Sequence, residues 1–183
     1  FTLVDNDSFN QSNLNRQILS NFSTIGKKKV EVFKNHLKEI NPSINVICLD
    51  LFYLPGSTDI NFAVFDYVID AIDTVSSKID IIEKCEALNV KHISALGCGN
   101  RLDPSKVVIT DISKTKNDPL AKVLRRELKQ RNITHSLVCY SEELPLVKET
   151  SKDSLPSSIF VPSVAGINIA YKVIKDLLND EEK

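Results

Sequence analysis

The chain has 183 residues, 42% hydrophobic and 26% charged, and its net charge near −1 says nothing about partners. That composition fits one globular domain over 1–183 with an ordinary core. No apolar run approaches the roughly 18 residues of a membrane span, so no membrane insertion is expected. The four cysteines, Cys48, Cys85, Cys98 and Cys139, lie far apart and form no CxxC. They suit buried thiols in a reducing compartment better than a zinc site or a disulfide framework.

The opening run FTLV ends in Asp5 and reads as a strand already under way, so an N-terminally incomplete domain is expected. A polar stretch follows. The spacing then predicts a helix over 26–40, with Val30, Phe33, Leu37 and Ile40 on one face and Asn41-Pro42 as its stop. INVICL at 44–49 reads as a strand, followed by a segment with Pro55-Gly56 and a short helix. DYVIDAID at 66–73 is a strand running into acid, 75–88 is helical, and VKHISAL at 90–96 is a strand ending at Gly97-Cys98-Gly99. VVIT at 107–110 and HSLVCY at 135–140 read as strands, and 119–130 as a helix. Residues 141–158 are rich in Ser, Glu, Lys and Pro and are expected to form a mobile loop. A closing helix over 162–178 carries Val164, Ile167, Ala170, Val173, Ile174 and Leu177 on or near one face. Strands alternating with helices predict a Rossmann-like, doubly wound and mostly parallel sheet, with additional antiparallel strands in the C-terminal half.

The polar stretch is NQSNLNRQ, at 10–17. It holds many hydrogen-bond donors and has little to bury, so either a solvated loop or a binding segment fits it. In a dinucleotide-type α/β fold, an acid at the end of the second strand binds ribose, about 20 residues after a glycine-rich phosphate turn. Asp5 suits that acid, and the glycine turn and first strand would then fall before residue 1. Arg16 and Lys29 lie beyond the same strand end and are the residue types that clamp phosphates. Asp73 ends a later strand. Ligands of open parallel sheets sit outside the carboxyl ends of the strands. Asp5, Arg16, Lys29 and Asp73 are therefore expected at one crevice: an acid for ribose, two cations for phosphate, an acid for Mg²⁺. A solvated lysine in the KKK run and a helix-capping aspartate remain open as the plainer readings of Lys29 and Asp73.

The succession DxDxxxxxNLNRQ, TIGKKKVEV, INP and DYVIDAIDT resembles the E1-like, ThiF/MoeB adenylating superfamily. That resemblance implies ATP and Mg²⁺ as cofactors. Asp5 is implied as the ribose ligand, Asn13, Arg16 and Gln17 as nucleotide-facing donors, Lys29 as the phosphate lysine and Asp73 as the magnesium acid, with Arg16, Lys29 and Asp73 catalytic. Further on, GCGNRLDPSKVVITDISKTKNDPLAKVLRREL, VCYSEELP and FVPSVAGINIA resemble the tRNA threonylcarbamoyladenosine dehydratase branch, TcdA/CsdL. Sulfur-carrier activators of the superfamily usually have two CxxC pairs for zinc; this chain has none, so no zinc is expected. The branch implies ATP-dependent cyclisation of N6-threonylcarbamoyladenosine at tRNA position 37. Adenylation turns the carboxylate into an electrophile with AMP as leaving group, and a side-chain nitrogen closes the ring. It also implies a homodimer, a possible cysteine desulfurase or sulfur-acceptor partner, and a cytoplasmic location (membrane-associated or mitochondrial in a eukaryote).

Cys98 between glycines invites a nucleophile reading, but no histidine is obviously placed to activate it, and a small residue in a tight turn is the plainer account. Residues 114–131 hold seven Lys and Arg against Asp118 and Glu127. Lys122, Arg125, Arg126 and Lys129 are the expected RNA contacts, and a solvated helix surface is the alternative. Competing functions are activation of a ubiquitin-like sulfur carrier, a non-catalytic nucleotide-fold binding module and, third, NAD-dependent hydride transfer, which nothing after Asp5 supports.

Overall fold

The computed structural model describes residues 1–147 and 156–181. Two compact units divide the chain, Phe1–Leu54 and Pro55–Lys183. In the first, β1 (Thr2–Val4) pairs in parallel with β2 (Ile47–Leu49), and α1 (Lys29–Ile40) makes the crossover between them. The helix stops at Asn41, which takes an extended conformation because Pro42 disfavours helical geometry in the residue before it. Phe9, Val30, Val46 and Tyr53 are buried in this unit.

The second unit carries a four-stranded sheet in the order β3-β4-β6-β5. Its strands are β3 (Tyr67–Asp70), β4 (Lys91–Ala95), β5 (Val107–Asp111) and β6 (Leu137–Ser141). β3, β4 and β6 are parallel, and β5 runs antiparallel to β6. Side chains alternate across β6 as strand geometry requires. Val138 and Tyr140 join Ile79, Ile82, Leu124 and Leu128 on the face covered by α2 (Val75–Leu88) and α3 (Pro119–Gln130). Cys139 joins Ile93, Val161, Ala165 and Ile169 on the face covered by α4 (Phe160–Glu181). Helices on both faces make the unit doubly wound. Asp118 caps α3 by accepting the Ala121 N–H at 2.7 Å, and Pro119 occupies the first helical position, where its missing N–H is not needed. α2 ends in left-handed Asn89, φ 55°.

The mixed, mostly parallel α/β fold agrees with the sequence reading, with its strands divided between two sheets. β1 has β2 as its neighbour on one side and, among the described residues, no strand on the other. Several details differ. On α1 only Val30 is buried, and Phe33 and Ile40 are exposed. The strand expected to reach Asp73 stops at Asp70. There the Asp70 carboxylate turns back to accept the Ile72 N–H at 3.1 Å, an Asx turn that ends the strand. α4 buries Val161, Ala165 and Ile169 where the periodicity had pointed to Ile167 and Ile174, which are exposed. α4 is apolar around much of its circumference, so spacing alone cannot choose its buried face. Of the loop expected over 141–158, Ser141 closes β6, 142–147 and 156–158 are neither helix nor strand, and 148–155 lie outside the described residues. On either side of them, Asn100 donates to Pro156 O and Val147 O and accepts from Leu146 N and Val147 N.

Candidate functional site

β1 delivers Asp5 to its carboxyl end, where the Asp5 N–H donates to Leu49 O at 3.2 Å. The chain then makes a polar excursion whose two ends are tied together. Phe9 N–H donates to Lys27 O at 2.9 Å, Gly26 N–H to Phe9 O at 2.8 Å, and Lys29 N–H to Asp7 O at 3.0 Å. Gly26 sits at φ +82°, a left-handed turn that a side chain would strain. Buried Phe9 anchors the base. This closure returns the start of α1 to the end of β1.

Two lysines of the KKK run, Lys28 and Lys29, are thereby sorted. Lys28 pairs with Asp50 at 2.9 Å and donates to Asn6 O at 2.7 Å. The Lys29 ammonium sits 2.8 Å from Asp7 Oδ2 and 3.9 Å from Asp5 Oδ2, with only 13% of its side chain exposed. A solvated lysine is thus the wrong description of Lys29. Asp5 Oδ1 also accepts the Asp7 N–H at 2.7 Å, so the two acids and the lysine form one cluster. Its donor set suits a nucleotide: acids that accept from ribose hydroxyls and an ammonium that neutralises a phosphate.

The excursion spends part of its donor capacity on itself. Buried Asn13 accepts the Asn10 N–H at 3.1 Å while Asn10 accepts the Ser12 N–H, so its carbonyl oxygen closes a capping box. Arg16 Nη1 donates to Ser12 O at 2.6 Å and Asn15 Oδ1 at 3.1 Å. Gln17 is half-buried, and its N–H donates to Asn13 O.

In the second unit, charges also gather at the ends of β3 and β4. Asp73 is exposed in the turn between β3 and α2, one residue before the helix cap Thr74, and makes no ion pair among the described residues. The capping reading of Asp73 therefore falls. Asp70 is buried and holds Lys78 at 3.0 and 3.1 Å, and Lys78 also donates to Ala95 O at 2.8 Å. After β4, Arg101 Nε donates to Glu143 O at 2.8 Å, Nη1 to Gly97 O, and Nη2 to Asn117 O. Its Nη2 lies 3.6 Å from Asp118 Oδ2, and both side chains are buried. No group of three His, Cys, Asp or Glu suited to a metal occurs among the described residues. A lone exposed carboxylate fits Mg²⁺, which takes one or two protein carboxylates and completes its shell with phosphate oxygens and waters.

Burial raises the Cys98 thiol above its ordinary range, and Arg101 only partly opposes this. Burial also pushes Cys85 and Cys139 up to about 12. A raised pKa withholds thiolate, so Cys98 lacks the microenvironment of a nucleophile. His92 contacts Ser136 and His135 contacts Asp111, so neither serves the thiol.

On α3 the four expected RNA contacts divide. Lys122 and Lys129 are exposed. Arg126 is exposed but holds Glu127 at 2.8 Å. Arg125 reaches back to Thr115 Oγ1 at 2.7 Å, Thr115 O at 3.0 Å and Ile112 O at 3.3 Å, and is spent on the turn before the helix.

Sequence reasoning missed Asp7, Lys78 and Arg101. The DxD spacing was a sign of the first. Lys78 shares a helical stripe with buried Ile82 and Cys85, and a charge on a core stripe calls for a buried partner. Nothing in the sequence pointed to Arg101.

The parallel β1–α1–β2 crossover and the doubly wound sheet of β3 to β6 define a mixed α/β protein of the Rossmann kind. The chain belongs to the ThiF family, whose profile matches residues 1–182. It is 40% identical to the tRNA threonylcarbamoyladenosine dehydratase of Bacillus subtilis, across 98% of this chain and 78% of the relative. The dehydratase of the same name from Escherichia coli is 37% identical across 70% of this chain and 48% of its own length. The crystal structure of the E. coli dehydratase TcdA in complex with ATP superposes with a TM-score of 0.89 at 28% identity, over 99% of this chain and 76% of that one. Among the described residues, no helix is long and apolar enough to cross a membrane.

Proposed function

We propose that the chain is the adenylating domain, over 1–183, of an ATP-dependent tRNA threonylcarbamoyladenosine dehydratase that acts as a cytoplasmic homodimer. The observation that carries this reading is the Asp5–Asp7–Lys29 cluster at the end of β1. It lies on a fold shared with an ATP-bound dehydratase. The substrate is the threonine-derived carboxylate of N6-threonylcarbamoyladenosine in tRNA. A carboxylate oxygen attacks the α-phosphorus of ATP and pyrophosphate leaves. A nitrogen of the same side chain then attacks the activated carbonyl carbon, loses its proton and expels AMP, closing the ring.

The protein's part is positioning and charge neutralisation, which need no cysteine nucleophile. Asp5 orients ribose, Lys29 neutralises phosphate charge, and Asn13, Arg16 and Gln17 line the nucleotide. Asp73 would hold Mg²⁺, which would supply charge neutralisation at the phosphates. The absence of CxxC from the sequence disfavours a zinc-bearing sulfur-carrier activator. A cysteine desulfurase system remains a partner to be sought by co-purification.

The test is pyrophosphate release from ATP by the full-length protein. It should depend on tRNA carrying the threonylcarbamoyl group and be absent with the unmodified transcript. Exchange driven instead by a small ubiquitin-fold protein overturns the reading. Replacing Lys29 with Gln removes a charge-assisted contact of about 1.5–3 kcal/mol, so ATP affinity should fall about 10- to 100-fold while the fold persists. Titration of a non-hydrolysable ATP analogue measures it.

For RNA, Lys122→Glu with Lys129→Glu should weaken tRNA binding and reduce its salt slope, by about one for each phosphate contact removed. ATP affinity should stay parental. Arg125→Lys should leave the slope unchanged, because Arg125 is committed to Thr115 and Ile112. Equal slopes for the Glu variant and the parent rule out α3 as the contact.

A further inference from the structure

We propose that Lys78 and Asp70 are positioning residues for the β3–α2 turn, and that they set where the Asp73 carboxylate stands; this rests on the reading of Asp73 as the Mg²⁺ acid. Three contacts carry the inference. Asp70 Oδ1 accepts the Ile72 N–H at 3.1 Å, so the carboxylate shapes the turn directly, one residue before Asp73. Lys78 Nζ holds both Asp70 oxygens at 3.0 and 3.1 Å, which fixes the rotamer of the carboxylate doing the shaping. The same ammonium donates to Ala95 O at 2.8 Å, tying the turn to the end of β4.

The pair is almost wholly buried, with side chains 1% and 0% exposed. Burying two charges is costly, and a pair of this kind commonly adds little stability over an apolar pair of similar size. Its value lies in geometry: the two strand ends and the first turn of α2 are locked at one point. Groups behind a metal-ligating carboxylate typically alter metal affinity by about 10- to 100-fold when lost. Asp70 and Lys78 act on Asp73 through the turn backbone, by way of the Ile72 N–H, and neither is itself exposed to ligand.

The experiment uses the full-length protein. Lys78→Met alone leaves Asp70 as an unpaired buried charge and threatens the fold. The double variant Asp70→Leu/Lys78→Met removes both charges and the turn-shaping acceptor together, and Lys78→Arg keeps the charge as the conservative variant. Two quantities are measured: affinity for a non-hydrolysable ATP analogue in EDTA and in Mg²⁺, and the Mg²⁺ concentration giving half-maximal pyrophosphate release.

The expected result is a folded double variant with parental analogue affinity in EDTA, a lost strengthening by Mg²⁺, and a Mg²⁺ requirement raised about 10- to 100-fold. Lys78→Arg should stay closer to the parent. A folded double variant with the parental Mg²⁺ requirement overturns the positioning role. Asp73→Asn, run alongside, separates the two ideas. If it raises the Mg²⁺ requirement and the double variant does not, only the positioning role fails. If Asp73→Asn is itself silent, the Mg²⁺ assignment fails and takes the positioning role with it.

Discussion

Asp73→Asn is expected to lower AMP transfer by about 100-fold or more at limiting Mg²⁺, with ATP affinity in EDTA unchanged. The size follows from what the site supplies. Removing one preorganised charge-stabilising group commonly costs about 10²–10³ in turnover, and a protein carboxylate on Mg²⁺ is such a group. Asparagine keeps the shape of aspartate and removes the charge. Asp73 is exposed and makes no ion pair among the described residues, so thermal stability should stay close to parental. Asp70→Asn should behave differently: it leaves Lys78 buried without its carboxylate, so it should lower the melting temperature. Pyrophosphate release with threonylcarbamoylated tRNA, read beside a melting curve, separates the two acids. Near-parental turnover in both variants would contradict the adenylation reading as a whole.

The second large effect is structural. Arg101→Met should destabilise the Pro55–Lys183 unit by about 3–5 kcal/mol, because it strands the buried Asp118 carboxylate. Asp118 Oδ2 has no hydrogen-bond partner, and the guanidinium 3.6 Å away is its charge compensation. The same guanidinium gathers carbonyls of Gly97, Asn117 and Glu143, three segments that meet at this end of the sheet. The double variant Arg101→Met/Asp118→Asn should recover part of the loss, since Asn retains the α3 cap and carries no charge. Urea unfolding of the four proteins forms a double-mutant cycle. Additive losses would mean that the two side chains do not act as a pair.

Much of this protein follows from its sequence alone. Helical spacing in 75–88 and 119–130 and the apolar runs around Ile93 and Val138 are local patterns, and local patterns survive folding because each element must bury its own apolar stripe. The strand-end acid Asp5 and the lysine of α1 were legible for the same reason, since a parallel crossover returns the start of the helix to the strand end. Tertiary structure decided what local pattern leaves degenerate. α4 is apolar on several faces, so its register against Ile93 and Cys139 selected Val161, Ala165 and Ile169 for burial. Of two acids three residues apart, Asp70 went inward to Lys78 and Asp73 stayed in water, because the Asx turn ended β3 earlier than its apolar pattern indicates. Of two adjacent arginines, Arg125 was spent on carbonyls of the preceding turn, while Arg126 remained at the surface. Charge pairing depends on which segments meet across the fold, and residue type alone does not contain that information.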